Sequence, residues 1–109
     1  MNKFESVILF NPDLTNPAIL KEEDTFKKNI QDSGGKIISG EDWGLRDLSF
    51  NINNYKKSFY KYYQLEIDGN KIQNIKKSLT QNEKILRHLF IKTSEHQSLP
   101  TKMSKDEEK

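Results

Sequence analysis

The stretch EDWGLRDLSFNI, residues 41–52, contains the chain's single tryptophan directly before a glycine. From Leu48 onward its apolar residues fall at every second position, which is the period of a half-buried strand. The apolar residues before it, Ile37 and Ile38, are adjacent and therefore do not share that phase unambiguously. We therefore expect one long strand that changes phase at a bulge or bend near Trp43–Gly44.

A strand and a helix precede this stretch. Residues 4–10 are apolar in both phases and are followed by a turn, which is typical of a central strand. The helix signal comes next, with Asn16 as the N-cap, Pro17 at the first helical position and Gly34–Gly35 at the end. The acidic run at residues 22–24 lies early in this helix, where the helix dipole favours negative charge.

Three elements follow the long strand. A lysine-rich turn over 54–57 leads to a strand over 59–67, Asp68-Gly69-Asn70 offers a turn and an N-cap for a second helix, and a last strand covers 85–92. In the strand over 59–67 we expect one phase to pack against helices, with Lys61 as its polar exception: Phe59, Lys61, Tyr63, Leu65 and Ile67. The other phase contains Tyr60 and Tyr62, which we expect to be exposed. The last strand is apolar in both phases, so the pattern leaves the faces of Arg87 and His88 open.

This order of elements indicates two split βαβ units. With right-handed crossovers they form an α+β, ferredoxin-like βαββαβ sandwich, a four-stranded antiparallel sheet with two helices on one face. The other face of the sheet is left uncovered and available for binding. At 109 residues the chain suits one domain, which we place over 1–93. Residues 94–109 are polar and charged, and we expect a mobile tail there.

The composition excludes several functional classes. The chain has no cysteine, which excludes disulfides and cysteine-based zinc sites, and we expect no metal and no cofactor. No apolar run approaches the roughly 18 to 20 residues of a membrane span, so we expect a cytoplasmic protein with no membrane partner. The net charge is only +2, but lysines and aromatic residues cluster over 55–63, which suits an anionic partner.

Six features of the sequence can be compared with known families. They are Met1-x-x-aromatic-Glu5, Asn11-Pro12, Gly34-Gly35-Lys36, the stretch at 41–52, Tyr63-Gln64-Leu65-Glu66-Ile67 and Arg87-x-x-x-x-Lys92. Together they resemble bacterial small-subunit ribosomal protein six over residues 1–93. The resemblance implies the ferredoxin-like fold and a structural role in the small ribosomal subunit. It also implies binding, together with small-subunit ribosomal protein eighteen, to the central domain of 16S ribosomal RNA, and no small-molecule substrate.

Within this resemblance, cations would contact RNA phosphates. The chain has only two arginines, and their planar fork suits bidentate contact with phosphate. Asp47 stands where the family often has a second basic residue. Tyr60 and Tyr62 would pack at the edge of the interface with protein eighteen, because the chain lacks the glycine-aromatic signature of base-stacking RNA-recognition motifs. The predicted RNA-binding residues are Lys3, Arg46, Lys56, Lys57, Arg87 and Lys92.

Two alternative functions are known on such a fold, a ligand-sensing regulatory domain and an acylphosphatase-like enzyme. The enzyme needs a phosphate-cradling loop beside the first strand, but the turn at 11–14 is neither glycine-rich nor basic. His88 and His96 have no serine or cysteine nucleophile arranged near them, so we expect no catalytic residue. A sensing domain often has glycine-rich turns at its ligand site, and Gly34–Gly35 is already explained by the end of a helix.

Overall fold

The computed structural model describes residues 2–52 and 54–94. Its elements are β1 (Asn2–Phe10), α1 (Asn16–Asp32), β2 (Lys36–Ile52), β3 (Tyr55–Ile67), α2 (Ile72–Thr80) and β4 (Ile85–Thr93). The four strands form one antiparallel sheet in the order β2-β3-β1-β4. The predicted ferredoxin-like α+β fold is confirmed. The tail predicted beyond Ser94 lies outside the described residues.

The hydrophobic core lies between the two helices and one face of the sheet. β1 contributes Phe4, Ile8 and Phe10, which are at most 6% exposed. Its neighbour β3 pairs with these residues so that Leu65 opposes Phe4 and Lys61 opposes Ile8. The predicted helix-packed phase of β3 is therefore confirmed. The helices complete the core with Ile19, Phe26 and Ile30 of α1 and Ile72, Ile75 and Leu79 of α2.

The pairing of the long strand β2 with β3 is irregular at three places. The register of β2 against β3 shifts at Ile38 and again at Trp43. At the second bulge Gly44 has a φ of 78°, a conformation that favours glycine, and its N–H donates to Asp42 Oδ1 over 2.8 Å. The predicted change of phase near Trp43–Gly44 is confirmed. The shifts at Ile38 and Trp43 cancel, so Ile37 and Leu45 both oppose core residues of β3. A third irregularity, between Asp47 and Ile52, gives the end of β2 its different phase.

The helix caps differ from the sequence prediction. The N-cap of α1 is Thr15, whose Oγ1 accepts from the Ala18 N–H over 3.3 Å, so the expected cap at Asn16 is wrong. Thr15 keeps an extended backbone, as an N-cap residue does, while Asn16 already belongs to the helix. Helix α2 has Lys71 at its cap position without a side-chain hydrogen bond, so the expected cap within Asp68-Gly69-Asn70 is also wrong.

The acidic run at residues 22–24 lies beyond the first turn of α1, so the expected interaction with the helix dipole is wrong, and Glu23 contacts the sheet instead. Glu23 accepts from the Tyr63 hydroxyl over 2.6 Å and lies 3.5 Å from Lys61 Nζ. Lys61 Nζ is also 3.0 Å from Asp42. Burial, together with the hydrogen bond to Glu23, raises the pKa of Tyr63. The lysine on the helix-packed face is therefore paired with an acid from α1 and another from β2.

A neighbouring acid of α1 holds the loop before β4. Glu22 Oε1 accepts from Asn82 Nδ2 over 2.6 Å, and Glu22 Oε2 lies 3.9 Å from Lys84 Nζ. The Lys84 carbonyl in turn accepts from the Asn11 N–H over 2.9 Å. These contacts connect α1 and the end of β1 to the loop that leads into the edge strand.

The pairing of β4 with β1 settles the two faces that the sequence left open. Arg87 opposes Leu9 and lies on the uncovered face, whereas His88 opposes Ile8 and lies on the helix side. His88 Nε2 is 3.1 Å from Thr80 Oγ1. This contact joins the last turn of α2 to β4.

Two buried serines of the sheet differ in their hydrogen bonding. Ser6 and Ser58 are both 0% exposed. Ser58 Oγ donates to the Phe10 carbonyl over 2.7 Å, whereas Ser6 Oγ has no hydrogen-bond partner within the described part of the chain. A buried hydroxyl without a partner costs about 1–3 kcal/mol.

We expect Ser6→Ala to raise the free energy of unfolding by about 1 kcal/mol, because it removes an unpaired buried hydroxyl. The matched control Ser58→Ala should lower the free energy of unfolding by about 1–2 kcal/mol, since it leaves a buried carbonyl without its donor. Urea unfolding of both variants measures the two changes. Equal losses of stability in the two variants would contradict this account of Ser6.

His88 should make stability depend on pH. Burial, with a smaller effect of Lys76, lowers the pKa of His88 from the usual 6.5. The unfolded chain therefore binds this proton more readily than the folded chain. His88 contributes stability that is present above the unfolded pKa and is lost as the pH falls toward the folded pKa.

We expect His88→Gln to lose less stability than the unchanged chain when the pH falls from about 7 to about 5, because the titrating group is gone. Thermal unfolding across this range measures the difference. His96→Gln, which removes the chain's other histidine, is the control. The same pH dependence in His88→Gln and in the unchanged chain would show that His88 does not set it.

Candidate nucleic-acid and protein interface

The candidate site lies on the sheet face opposite the core, which we call the open face. Neither described helix covers it. Its side chains alternate with the core residues along each strand. They include Lys3, Glu5, Val7 and Leu9 of β1; Glu41, Trp43 and Arg46 of β2; Lys56, Ser58, Tyr60, Tyr62, Gln64 and Glu66 of β3; and Arg87, Leu89, Ile91 and Thr93 of β4.

The sheet brings three of the predicted RNA-binding residues to one end of the open face. Arg46 opposes Ser58, and Arg87 opposes Leu9 near the end of β1. Lys56 shares this face by alternation from Ser58. The cations of β2 and β4 are three strand spacings apart, or about 14 Å across the sheet.

The other predicted cations lie elsewhere. Lys3 is on the open face but six residues before Leu9, or about 20 Å along β1. Lys92 opposes Phe4 at that far end and lies on the helix side. The six predicted residues therefore do not form one cluster.

Lys57 has a partner of its own. The predicted lysine-rich turn is wrong, because β3 already begins at Tyr55 and the chain reverses at Asn54, where φ is 70°. Lys57 Nζ lies 3.8 Å from Asp47 Oδ1 across the hairpin. Both side chains are largely exposed, so this ion pair contributes little stability, but it places a negative charge beside Lys57.

The kink in β2 also positions Arg46. Its Nε donates to the Trp43 carbonyl over 3.1 Å. The backbone of the bulge therefore holds the Arg46 side chain at its Nε, beside the sheet. The indole Nε1 of Trp43 donates to Glu41 Oε1 over 3.0 Å. The bulge thus places an aromatic ring and a cation next to each other on the open face.

The two predicted partner-contact tyrosines differ in exposure. Tyr62 is 2% exposed, so the expectation that it is exposed is wrong. The Trp43 ring stacks on it with centroids 5.1 Å apart, and Gln64 Nε2 donates to its hydroxyl over 3.0 Å. Tyr60 opposes Leu9 and is half-buried, so part of it is accessible to a partner. The alternation of β3 alone could not show that a bulge places Trp43 over Tyr62.

An apolar strip on β4 was not distinguishable in the sequence, because this strand is apolar in both phases. Leu89 and Ile91 are each 53% exposed and lie on the open face opposite Val7 and Glu5. Arg87 precedes them on the same face. The edge strand therefore presents a cation and two exposed aliphatic side chains in one row.

Two features of other protein classes are absent from residues 2–52 and 54–94. This part contains no group of three or more histidine and acidic side chains that could hold a metal ion. Neither of its helices has the length and apolar character that crossing a membrane requires.

Known proteins share both the sequence and the fold. The chain matches the family model described as Ribosomal protein S6 over residues 3–92. It is 36% identical over 107 residues to small ribosomal subunit protein bS6 of Rickettsia felis, which covers 98% of this chain and 88% of that protein. It is 28% identical over 96 residues to the bS6 protein of Christiangramia forsetii, with 88% and 86% covered. The crystal structure of ribosomal protein S6 from Thermotoga maritima has the same fold, with a TM-score of 0.80 at 20% identity over 84% of this chain and 87% of that one.

The family match runs from β1 to β4, so it includes the whole described fold. The comparisons support neither a ligand-sensing domain nor an acylphosphatase-like enzyme, because the relatives are named as ribosomal proteins. The chain belongs to the ribosomal protein S6 family and is a structural constituent of the small ribosomal subunit, not an enzyme.

Proposed function

We propose that the open face binds small-subunit ribosomal protein eighteen, and that cations at its end bind the central domain of 16S ribosomal RNA. The observation that carries this proposal is a row on β4. Arg87, Leu89 and Ile91 occupy every second position of this strand, and all three lie on the open face. This row places an apolar contact surface directly beside a cation.

The apolar part of the row suits a protein. Leu89 and Ile91 are both about half exposed, and burying apolar surface contributes about 25 cal/mol per Å². Val7 and Tyr60 extend this area toward the centre of the sheet. The centre of a protein interface is depleted of charge and enriched in aromatic residues, whereas an RNA backbone would leave the aliphatic groups without apolar partners.

The cationic end suits RNA. Arg46, Lys56 and Arg87 lie on one face and at one end of the sheet, where a single RNA segment could contact the cations of β2 and β4. Arginine binds phosphate through two parallel hydrogen bonds. Such contacts position the RNA without reading its bases, as is usual where a protein recognises the shape of helical RNA.

The two partners should bind cooperatively. The net charge of +2 means that few counterions are released when RNA binds this chain alone. Protein eighteen would cover the apolar row and place its own surface beside Arg87. A preformed complex of the two proteins then offers RNA a larger binding surface than either chain by itself.

We expect a 16S central-domain RNA fragment to bind the mixture of both proteins at least about tenfold more tightly than this chain alone, a difference of about 1.4 kcal/mol. Arg87→Ala should weaken binding by the mixture about tenfold or more, because a hydrogen bond to a charged group contributes about 1.5–3 kcal/mol. Filter binding at two salt concentrations measures both effects.

Lys21→Ala is the matched control for this experiment, because Lys21 is an exposed cation on α1, away from the open face. It should leave RNA affinity nearly unchanged. Absence of RNA binding in both mixtures, from protein shown to be folded by circular dichroism, would contradict the proposed function.

We expect Leu89→Asp to weaken binding to protein eighteen at least about tenfold, because it places a charge in the centre of an apolar interface. Leu45→Asp is the control, since Leu45 is similarly exposed at 48% but lies opposite Phe59 on the helix side. Isothermal titration calorimetry without RNA measures both affinities. Equal effects of the two substitutions would show that the apolar row of β4 is not the interface.

A further inference from the structure

We propose that the helix side of α2 and β4 is a second RNA-contact surface, separate from the open face. We call it the basic flank and define it by Lys76, Lys77 and Lys92, with Phe90 between them. The proposal rests on the RNA binding proposed above and extends it to a part of the molecule that is outside the open face.

The charge of α2 and β4 is of one sign. Their sequences, IQNIKKSLT and ILRHLFIKT, contain four cations and no acid, which gives +4, whereas the whole chain carries only +2. Helix α1 differs, because its lysines alternate with acids over 21–32. Positive charge is therefore concentrated on two adjacent elements.

The fold places two of these cations, Lys76 and Lys92, on either side of Phe90. Lys76 Nζ lies 6.0 Å from the centroid of the Phe90 ring, so this lysine is on the side of α2 that meets β4. Phe90 and Lys92 oppose the core residues Ser6 and Phe4 of β1, which puts both on the helix side. Two residues of a strand span about 7 Å, so Lys92 lies close beyond the ring that Lys76 contacts.

The lysines of the basic flank are not neutralised within the described part of the chain, where no acid lies within ion-pair distance of Lys76, Lys77 or Lys92. Elsewhere lysines do have such partners, as Lys61 has in Glu23. Lys77 lies in the last turn of α2, where the negative end of the helix dipole stabilises a positive charge. That effect explains one lysine, but it does not explain the lack of acids across both elements.

The surface suits a nucleic-acid backbone better than a protein. The large apolar residues that are exposed in the described chain lie on α1, on β2 and on the open face of β4, and none of them is on the basic flank. A protein interface needs apolar anchors at its centre. Phosphate contacts need only cations and suitable donors, which is what the basic flank provides.

The position of β4 at the sheet edge connects the two surfaces. Arg87 projects on the open face, whereas Lys92 projects on the helix side of the same strand. RNA that runs along this edge could be held from both sides of the sheet, while protein eighteen covers only the open face.

The test is the salt dependence of RNA binding by the preformed complex with protein eighteen. We expect the double variant Lys76→Gln with Lys77→Gln to reduce the slope of log affinity against log salt by about 1 to 2, because each phosphate contact contributes about 0.7 to 0.9. Its RNA affinity at low salt should fall at least about tenfold. Lys92→Gln, on the neighbouring strand, should reduce the slope by about 1.

The matched control is the double variant Lys27→Gln with Lys28→Gln, since this pair is also adjacent, exposed and helical but lies on α1. It should leave the slope unchanged. Equal slopes for both double variants would overturn the basic flank while leaving the proposed function intact. Weakened binding to protein eighteen without RNA, in the Lys76 and Lys77 variant, would also overturn it, by showing that the flank binds protein. Absence of RNA binding by the unchanged complex would instead overturn the proposed function itself.

Discussion

The antiparallel register of β1 with both of its neighbours determines which side chains of the sheet meet the helices and which lie on the open face. Paired residues share a face of the sheet, so the core residues Phe4, Ile8 and Phe10 fix which side chains of β3 and β4 meet the helices. A shift of one residue in β4 would exchange its two faces and would turn Arg87 toward the core. The residues that contact partners are therefore set by the same pairing that forms the hydrophobic core.

The same register explains why a lysine lies beneath the helices. Alternation puts Lys61 on the helix-packed face, and Glu23 and Asp42 approach it from α1 and β2. Removing one member of such a cluster leaves a poorly solvated charge without its partner, which is costly. Glu23 of α1 therefore helps to hold the helix in position over the sheet. The sequences of α2 and β4 contain no acid that could play the same part for their own cations.

The order of elements, the helix-packed phase of β3 and the kink of β2 could be predicted from the sequence, because each depends on local period or on glycine. The faces of β4 could not, since a strand that is apolar in both phases carries no signal of orientation. The burial of Tyr62 depends on a tertiary contact with Trp43. Thr15 and Asn16 are both good capping residues, so their order could not be resolved from residue type. For the candidate site, the sequence singled out the two arginines because arginine is rare in this chain. That both lie at one end of the open face could be seen only from the strand register.

The kink of β2 also gives the molecule a built-in optical reporter. The chain has one tryptophan, which is 7% exposed. Its indole stacks on the Tyr62 ring, and its backbone carbonyl accepts a hydrogen bond from Arg46. Indole emission depends on the polarity and the aromatic neighbours of the ring. The tryptophan fluorescence of the protein therefore comes from a single known position on the open face, where it can follow folding and docking without an added dye.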